Sequence, residues 1–242
     1  MRLSVILLLL WLISSITFDL NKIFLPEAIG VSKLFIELTL NGVLFGHLGI
    51  TLYRVMLGVF FSIIIGVPIG LWMRRIPLVR KELGPIFEFI RGIPTSMLFP
   101  IFIVFFGFGE LSKILIAIYL AMPIIIVNSM VGATPRRELQ GRFDYLSIHQ
   151  DLIPKKQHYF AITWQAAPSV ISSIKVAISL GLVVILVTEM FFVASSGVAW
   201  AAFRAYKFFQ IDLMYLYVIT SVFAALILNK IFDFAIQRVG KS

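Results

Sequence analysis

Glu189 lies inside the run VILVTEMFFVA, the most apolar setting of any acid in this chain. An ionised carboxylate facing lipid costs about 2.5 kcal/mol or more, so such a residue usually faces protein or a water-filled path. Two readings follow. Glu189 either borders a polar path and shapes its electrostatics, or forms a structural pair with Arg54, Lys113 or Arg204. The same apolar stretch carries Ser172, Lys175, Ser179 and Thr188. Ser172 and Ser179 are seven residues apart, with Lys175 between them at helical spacing, so the three share one helix face. A polar stripe of this kind suits the lining of a path and equally suits packing against a neighbouring helix. Lys175 and Arg91 can also reach the headgroup region at a helix end by extending their side chains.

Sets that break bonds are missing. The chain has no cysteine, which excludes disulfides, thiolate nucleophiles and Cys-ligated metals. His47, His149 and His158 are too scattered for a metal site, and there is no Ser-His-Asp, HExxH or paired-carboxylate pattern. The sequence ends Gly240-Lys241-Ser242, like the close of a phosphate loop, but the first glycine of that motif would be residue 235, which is Ala. No catalysis, cofactor or metal is therefore expected in this chain.

The elements that position these residues follow from composition. Of 242 residues, 60% are hydrophobic and 14% charged, against about 25% charged in ordinary soluble domains. The expectation is an all-α polytopic membrane protein, a single transmembrane domain over residues 1–242. A span needs about 20 apolar residues, and six stretches qualify: 3–18, 50–73, 86–108, 114–131, 168–192 and 213–236. No small-x-small cleavage site follows the first, so it reads as a retained helix rather than a signal peptide. Pro94, Pro100 and Pro123 should kink or break the third and fourth spans. Gly66 and Gly70, spaced for close helix approach, should pack the second. Residues 19–49 include a mixed pattern suited to a short amphipathic helix on the outer surface. No strong inverted repeat stands out.

Charge sets the orientation. Arg2, Arg74, Arg75, Arg80, Lys81, Arg136, Arg137, Arg142, Lys155, Lys156, Arg238 and Lys241 fall on one side of these spans. Only Lys22, Lys33, Lys113, Arg204 and Lys207 fall on the other. The richer side should be cytoplasmic, with both termini inside. The net charge of +9 is then a topology signal, and no nucleic-acid partner is implied.

Between the fourth and fifth spans lies a polar, basic island, RFDYLSIHQDLIPKKQHYF. Leu139, Phe143 and Leu146 recur at spacings of four and three, a helical stripe, with Arg142, Asp144 and His149 elsewhere around it. Pro154 should interrupt this helix, and Asp151 can cap a second one carrying Lys155, Lys156, Tyr159 and Phe160 into the fifth span. Such a pair makes either a partner-binding platform or a loop packed on its own bundle.

Three stretches resemble permease subunits of bacterial ABC importers, in the nitrate, sulfonate, taurine and bicarbonate branch. They are TLYRVMLGVFFSIIIGVPIG (51–70), RGIPTSMLFPIFIVFFGFGELSKI (91–114) and AAPSVISSIKVAISLGLVVILVTEMFFVASSGVAWAAFRAYKFFQIDLMY (166–215). Pro168, Glu189-Met190, the Ala-Ser-Ser-Gly run at 194–197 and Phe209-Gln210-x-Asp212 fall where the family has its like residues. The resemblance implies a type I importer fold, a second copy of the permease, two ATP-binding cassette ATPase subunits that carry the ATP and magnesium, and an extracytoplasmic substrate-binding protein. It also implies a multi-pass place in the bacterial inner membrane, in contact with lipid.

In the family a cytoplasmic Glu-Ala-Ala-x-x-x-Gly loop docks into the ATPase. Here its glycine would fall near Asp151 and its acidic start near Asp144-Tyr145; neither the glycine nor the Ala pair is present, and Thr163-Trp164 replaces the usual Leu-Pro. The coupling region implied is about 136–163, with Leu139, Phe143, Asp144, Tyr145, Leu146, His149, Asp151 and Lys155 as contact residues. Ser172, Lys175, Ser179, Thr188 and Glu189 are the pathway candidates. The implied cargo is a small, anionic solute. The rival expectations are an ion-coupled secondary carrier and a non-transporting membrane assembly subunit.

Overall fold

The computed structural model describes residues 26–132, 155–191 and 195–239, with backbone alone over 155–166 and 235–239. These residues form helices: α1 (Ala28–Leu40), α2 (Val43–Arg75), α3 (Pro77–Gly92), α4 (Thr95–Phe106), α5 (Glu110–Gly132), α6 (Lys155–Phe191), α7 (Val198–Lys207) and α8 (Ile211–Val239). The expected 3–18 span and the coupling positions 139–151 lie outside the described residues; Lys155 opens α6, described there only as backbone.

Punctuation follows local chemistry. Gly42 takes φ 72° after Asn41, a left-handed step that turns the chain from α1 into α2. α2 ends on Arg74 and Arg75, which complement its negative end. Pro77 then forces Ile76 into an extended conformation and opens α3 at its first position. Pro94 does the same to Ile93 (φ −80°, ψ 121°), and here the consequence is large: α3 and α4 meet at 97°.

Among the described residues, four helices are long and apolar enough to cross a membrane, or five if the bent α3–α4 pair is one span. The stretch expected as the span 86–108 is broken at Ile93 and Pro94, two successive non-helical residues that interrupt the hydrogen-bond ladder where a proline kink or break was expected. Lys113 is also displaced from its expected loop: the helix begins earlier, at Glu110, and buries Lys113 in its first turn. Pro68, Pro123 and Pro168 sit inside continuous helices.

The chain divides into two compact units. The first comprises Met1–Tyr53 and Ile185–Ile227. Its core packs Leu44, Val198, Ala201, Ala202 and Tyr217 with Leu38, Leu48, Trp200 and Leu213 around them. The small side chains of α7 allow its backbone to sit close to its neighbours. Asp212 at the head of α8 accepts the Glu27 amide at 3.1 Å and occupies the space over Gly30.

The second unit comprises Arg54–Val184 and Leu228–Ser242. Along α2, Gly58, Gly66 and Gly70 form a stripe against α5; a methyl on Gly58 would lie 2.5 Å from Ala117 Cβ, and one on Gly70 2.7 Å from Ser129 Cβ. The sequence pointed to Gly66 and Gly70; Gly58 extends the same face two turns further. Met73, Phe87 and Ile126 make the adjoining core. Tyr119 donates to the Ile90 carbonyl at 2.8 Å, in the last turn of α3, where the same oxygen also accepts the Ile93 amide at 3.3 Å.

Candidate functional site

Three polar sets emerge, each inside one unit, and the first is the most deeply buried. In the first unit, His47 and Thr51 lie one turn apart on α2 and so face the same way. Glu189, near the end of α6, is fully buried, and Thr51 and Thr188 are nearly so. Thr51 Oγ1 has one proton and three acceptors in reach: Glu189 Oε1 at 2.9 Å, Glu189 Oε2 at 3.1 Å and the His47 carbonyl at 3.2 Å.

The same residues receive the start of α7. The Gly197 amide donates to His47 Nδ1 at 3.3 Å, the Val198 amide to Thr51 Oγ1 at 3.0 Å, and the Ala199 amide to Glu189 Oε2 at 3.1 Å. Three donors that no helix can satisfy internally are thus taken up by side chains from α2 and α6. A carboxylate is the favoured acceptor at the positive end of a helix. Gly197 is required twice over: its φ is 123°, and any side chain there would overlap the Glu189 carboxylate. Of the cationic partners proposed from sequence, Arg204 stacks over Trp200 at 5.3 Å, with no carboxylate paired to it among the described residues. The backbone amides of α7 could not have been foreseen, because no side-chain pattern marks them.

The second set, in the other unit, is built on Glu110. Arg54, fully buried, donates through Nε to Glu110 Oε2 at 2.6 Å and through a terminal nitrogen to Oε1 at 2.7 Å. Lys113 Nζ adds a third contact to Oε1 at 3.1 Å. One carboxylate therefore holds two cations, one of them by a two-pronged guanidinium fork. Glu110 did not stand out in the sequence because it sits after a glycine-rich turn and looks like an ordinary first-turn acid.

The third set joins α6 to α8. Lys175 pairs with Asp233, and Ser179 Oγ donates to Asn229 Oδ1 at 2.9 Å and also lies 3.0 Å from the Lys175 carbonyl. Asn229 and Asp233 are one turn apart, so two polar rungs face each other across the helices. Ser172, the third member of the expected stripe, is exposed and turns back to the Pro168 carbonyl at 2.8 Å. The five pathway candidates thus split: Ser172, Lys175 and Ser179 belong to the second unit, Thr188 and Glu189 to the first. Asn229 and Asp233 are the members that the sequence reading missed; their place four apart on an apolar helix was the available signal.

No family model matches the chain. It is 26% identical over 220 residues to the taurine transport system permease protein TauC of Escherichia coli, which covers 88% of this chain and 77% of that protein. The aliphatic sulfonates transport permease protein SsuC assigned to Bacillus subtilis is 30% identical over 189 residues, 77% of this chain and 66% of that one. The nitrate import permease protein NrtB of Synechocystis is 27% identical over 159 residues, and the match spans 56% of its length. Among solved structures, an inward-facing MetNI methionine ABC transporter matches with a TM-score of 0.67 over 85% of this chain and 97% of that one, at 16% identity. That likeness speaks for the fold.

Proposed function

Because the chain belongs to the permease subunits of ABC importers, we propose that it forms the membrane pathway of an ATP-driven importer of a small anionic solute. The observation that carries this is the likeness to a taurine permease along 88% of the chain. Small oxyanions and sulfonates are the cargo class because three of the relatives are named for taurine, sulfonates and nitrate.

In this reading two copies of the permease pair in the bacterial inner membrane with six spans each and both termini inside. Two ATPase subunits bind the 136–163 region, through Leu139, Phe143, Asp144, Tyr145, Leu146, His149, Asp151 and Lys155, and a binding protein delivers the solute outside. ATP and magnesium stay on the ATPases. Alternating access follows if ATP binding favours one of two permease shapes; the permease supplies the difference in affinity between those shapes rather than bond chemistry. The Lys175–Asp233 and Ser179–Asn229 rungs are polar contacts between otherwise apolar helices, suited to exchange for solute or water as the path opens. Thr188 and Glu189 act on the path through α7, whose start Glu189 holds.

Reconstitution decides it. The permease, with its ATPase and binding protein in liposomes, should take up one of nitrate, taurine, an alkanesulfonate or bicarbonate only when ATP is present. Uptake that persists without ATP or ATPase overturns the proposal in favour of an ion-coupled carrier, and no uptake of any solute favours a membrane assembly subunit.

A further inference from the structure

Arg204, His47, Gln210 and Tyr217 line a cavity of about 370 Å³ in the first unit, walled further by Trp200 and Phe208. That volume falls in the range of small-ligand sites. The lining carries hydrogen-bond donors and no carboxylate. Arg204 pairs with no acid among the described residues; its guanidinium rests 5.3 Å from the centre of the Trp200 ring, which fixes the planar group without neutralising it.

His47 is committed as well. Its Nδ1 accepts the Gly197 amide, so the neutral ring carries its proton on Nε2 as a further donor. The ring is held by Trp200 at 5.6 Å and by the edge of Tyr217 at 5.7 Å. The Tyr217 hydroxyl and the Gln210 side-chain amide have no partner among the described residues. A fixed cation, several donors and an aromatic wall are complementary to an oxyanion carried on a short apolar stem. The Arg204 guanidinium, with no carboxylate in the lining, disfavours a second cation there.

We propose that this cavity binds the oxyanion head of a small molecule or lipid: a sulfonate, carboxylate or phosphate group on Arg204, with its stem against Trp200 and Phe208. This stands apart from the transport reading, since binding is read on the permease alone. The full chain is placed in nanodiscs of pure phosphatidylcholine, and methanesulfonate and inorganic phosphate are titrated while tryptophan fluorescence is followed, with Trp200→Phe as the control for the reporter. Saturable quenching by either anion, weakened about ten-fold or more by Arg204→Gln and largely kept by Arg204→Lys, assigns the site to a free oxyanion. If neither anion binds but phosphatidylglycerol added to the discs is retained through purification by the parent chain and lost from Arg204→Gln, the headgroup is the occupant. Arg204 is exposed, so these variants should fold, which circular dichroism and gel filtration verify. No binding of anion or lipid, or binding indifferent to Arg204→Gln, overturns the proposal.

Discussion

At the start of α7 three consecutive amides are taken by a half-buried imidazole, a buried hydroxyl and a buried carboxylate. Removing the carboxylate strands a buried amide, which costs about 1–3 kcal/mol, and also removes the favourable charge at the helix end. Glu189→Ala should therefore lower the thermal midpoint of the detergent-purified permease clearly, and Glu189→Gln, which keeps an acceptor for Ala199, should lower it less. Equal losses in the two variants would mean that the charge matters and the amide contact does not. A second residue-scale test concerns Glu110, the shared partner of Arg54 and Lys113. Breaking a buried ion pair costs about 3–5 kcal/mol, but Glu110 is half exposed and water screens part of that. Glu110→Gln should cost about 2 kcal/mol on that basis, and more than Lys113→Met, because it weakens the contacts of both cations at once while the second change removes only the contact at 3.1 Å. Melting curves of both variants check the order.

Close approach rather than side-chain volume holds α2 against α5. Gly58 sits where a methyl would press on Ala117, so Gly58→Ala should destabilise by about 1–3 kcal/mol through overpacking. Ala117→Gly in the same chain returns the space, and the double variant should recover most of the loss. A double-mutant cycle by thermal melting measures this coupling; strict additivity would show that the two helices do not meet there. The break between α3 and α4 belongs to the same scale. Proline-induced kinks are readable in a sequence, and Pro94 was marked as one. A 97° turn was not readable, because the angle depends on what each half packs against: Phe87 and Ile90 meet Met73 and Ile126, while Phe102 meets Tyr119 at 6.1 Å.

For the whole molecule, the asymmetry of Lys and Arg predicts that both ends of the chain and the 136–163 region face the cytoplasm. Reporter fusions after residue 242 and within 136–163 should be active only as cytoplasmic reporters; an outward signal at either place reverses the topology. The same region should carry the ATPase. Reversing Asp144 together with Lys155 and Lys156 should abolish co-purification of the ATPase while leaving the permease folded, as gel filtration of the remaining chain would show.

Composition and periodicity alone indicated a helical membrane chain and where four of its long apolar helices run, and they set the expectation of which side is basic. Those properties are carried by the side chains themselves: lipid selects apolar runs of a given length, and charge resists crossing. The tertiary structure decided the rest. It showed that Glu189 meets the Ala199 amide of α7, that Arg54 and Lys113 share Glu110, that Lys175 faces Asp233, and that Arg204 stands over Trp200 beside a donor-lined cavity. Each of these pairings depends on how helices far apart in the chain are rotated against one another, and a hydrophobic sequence leaves that rotation open until packing closes it.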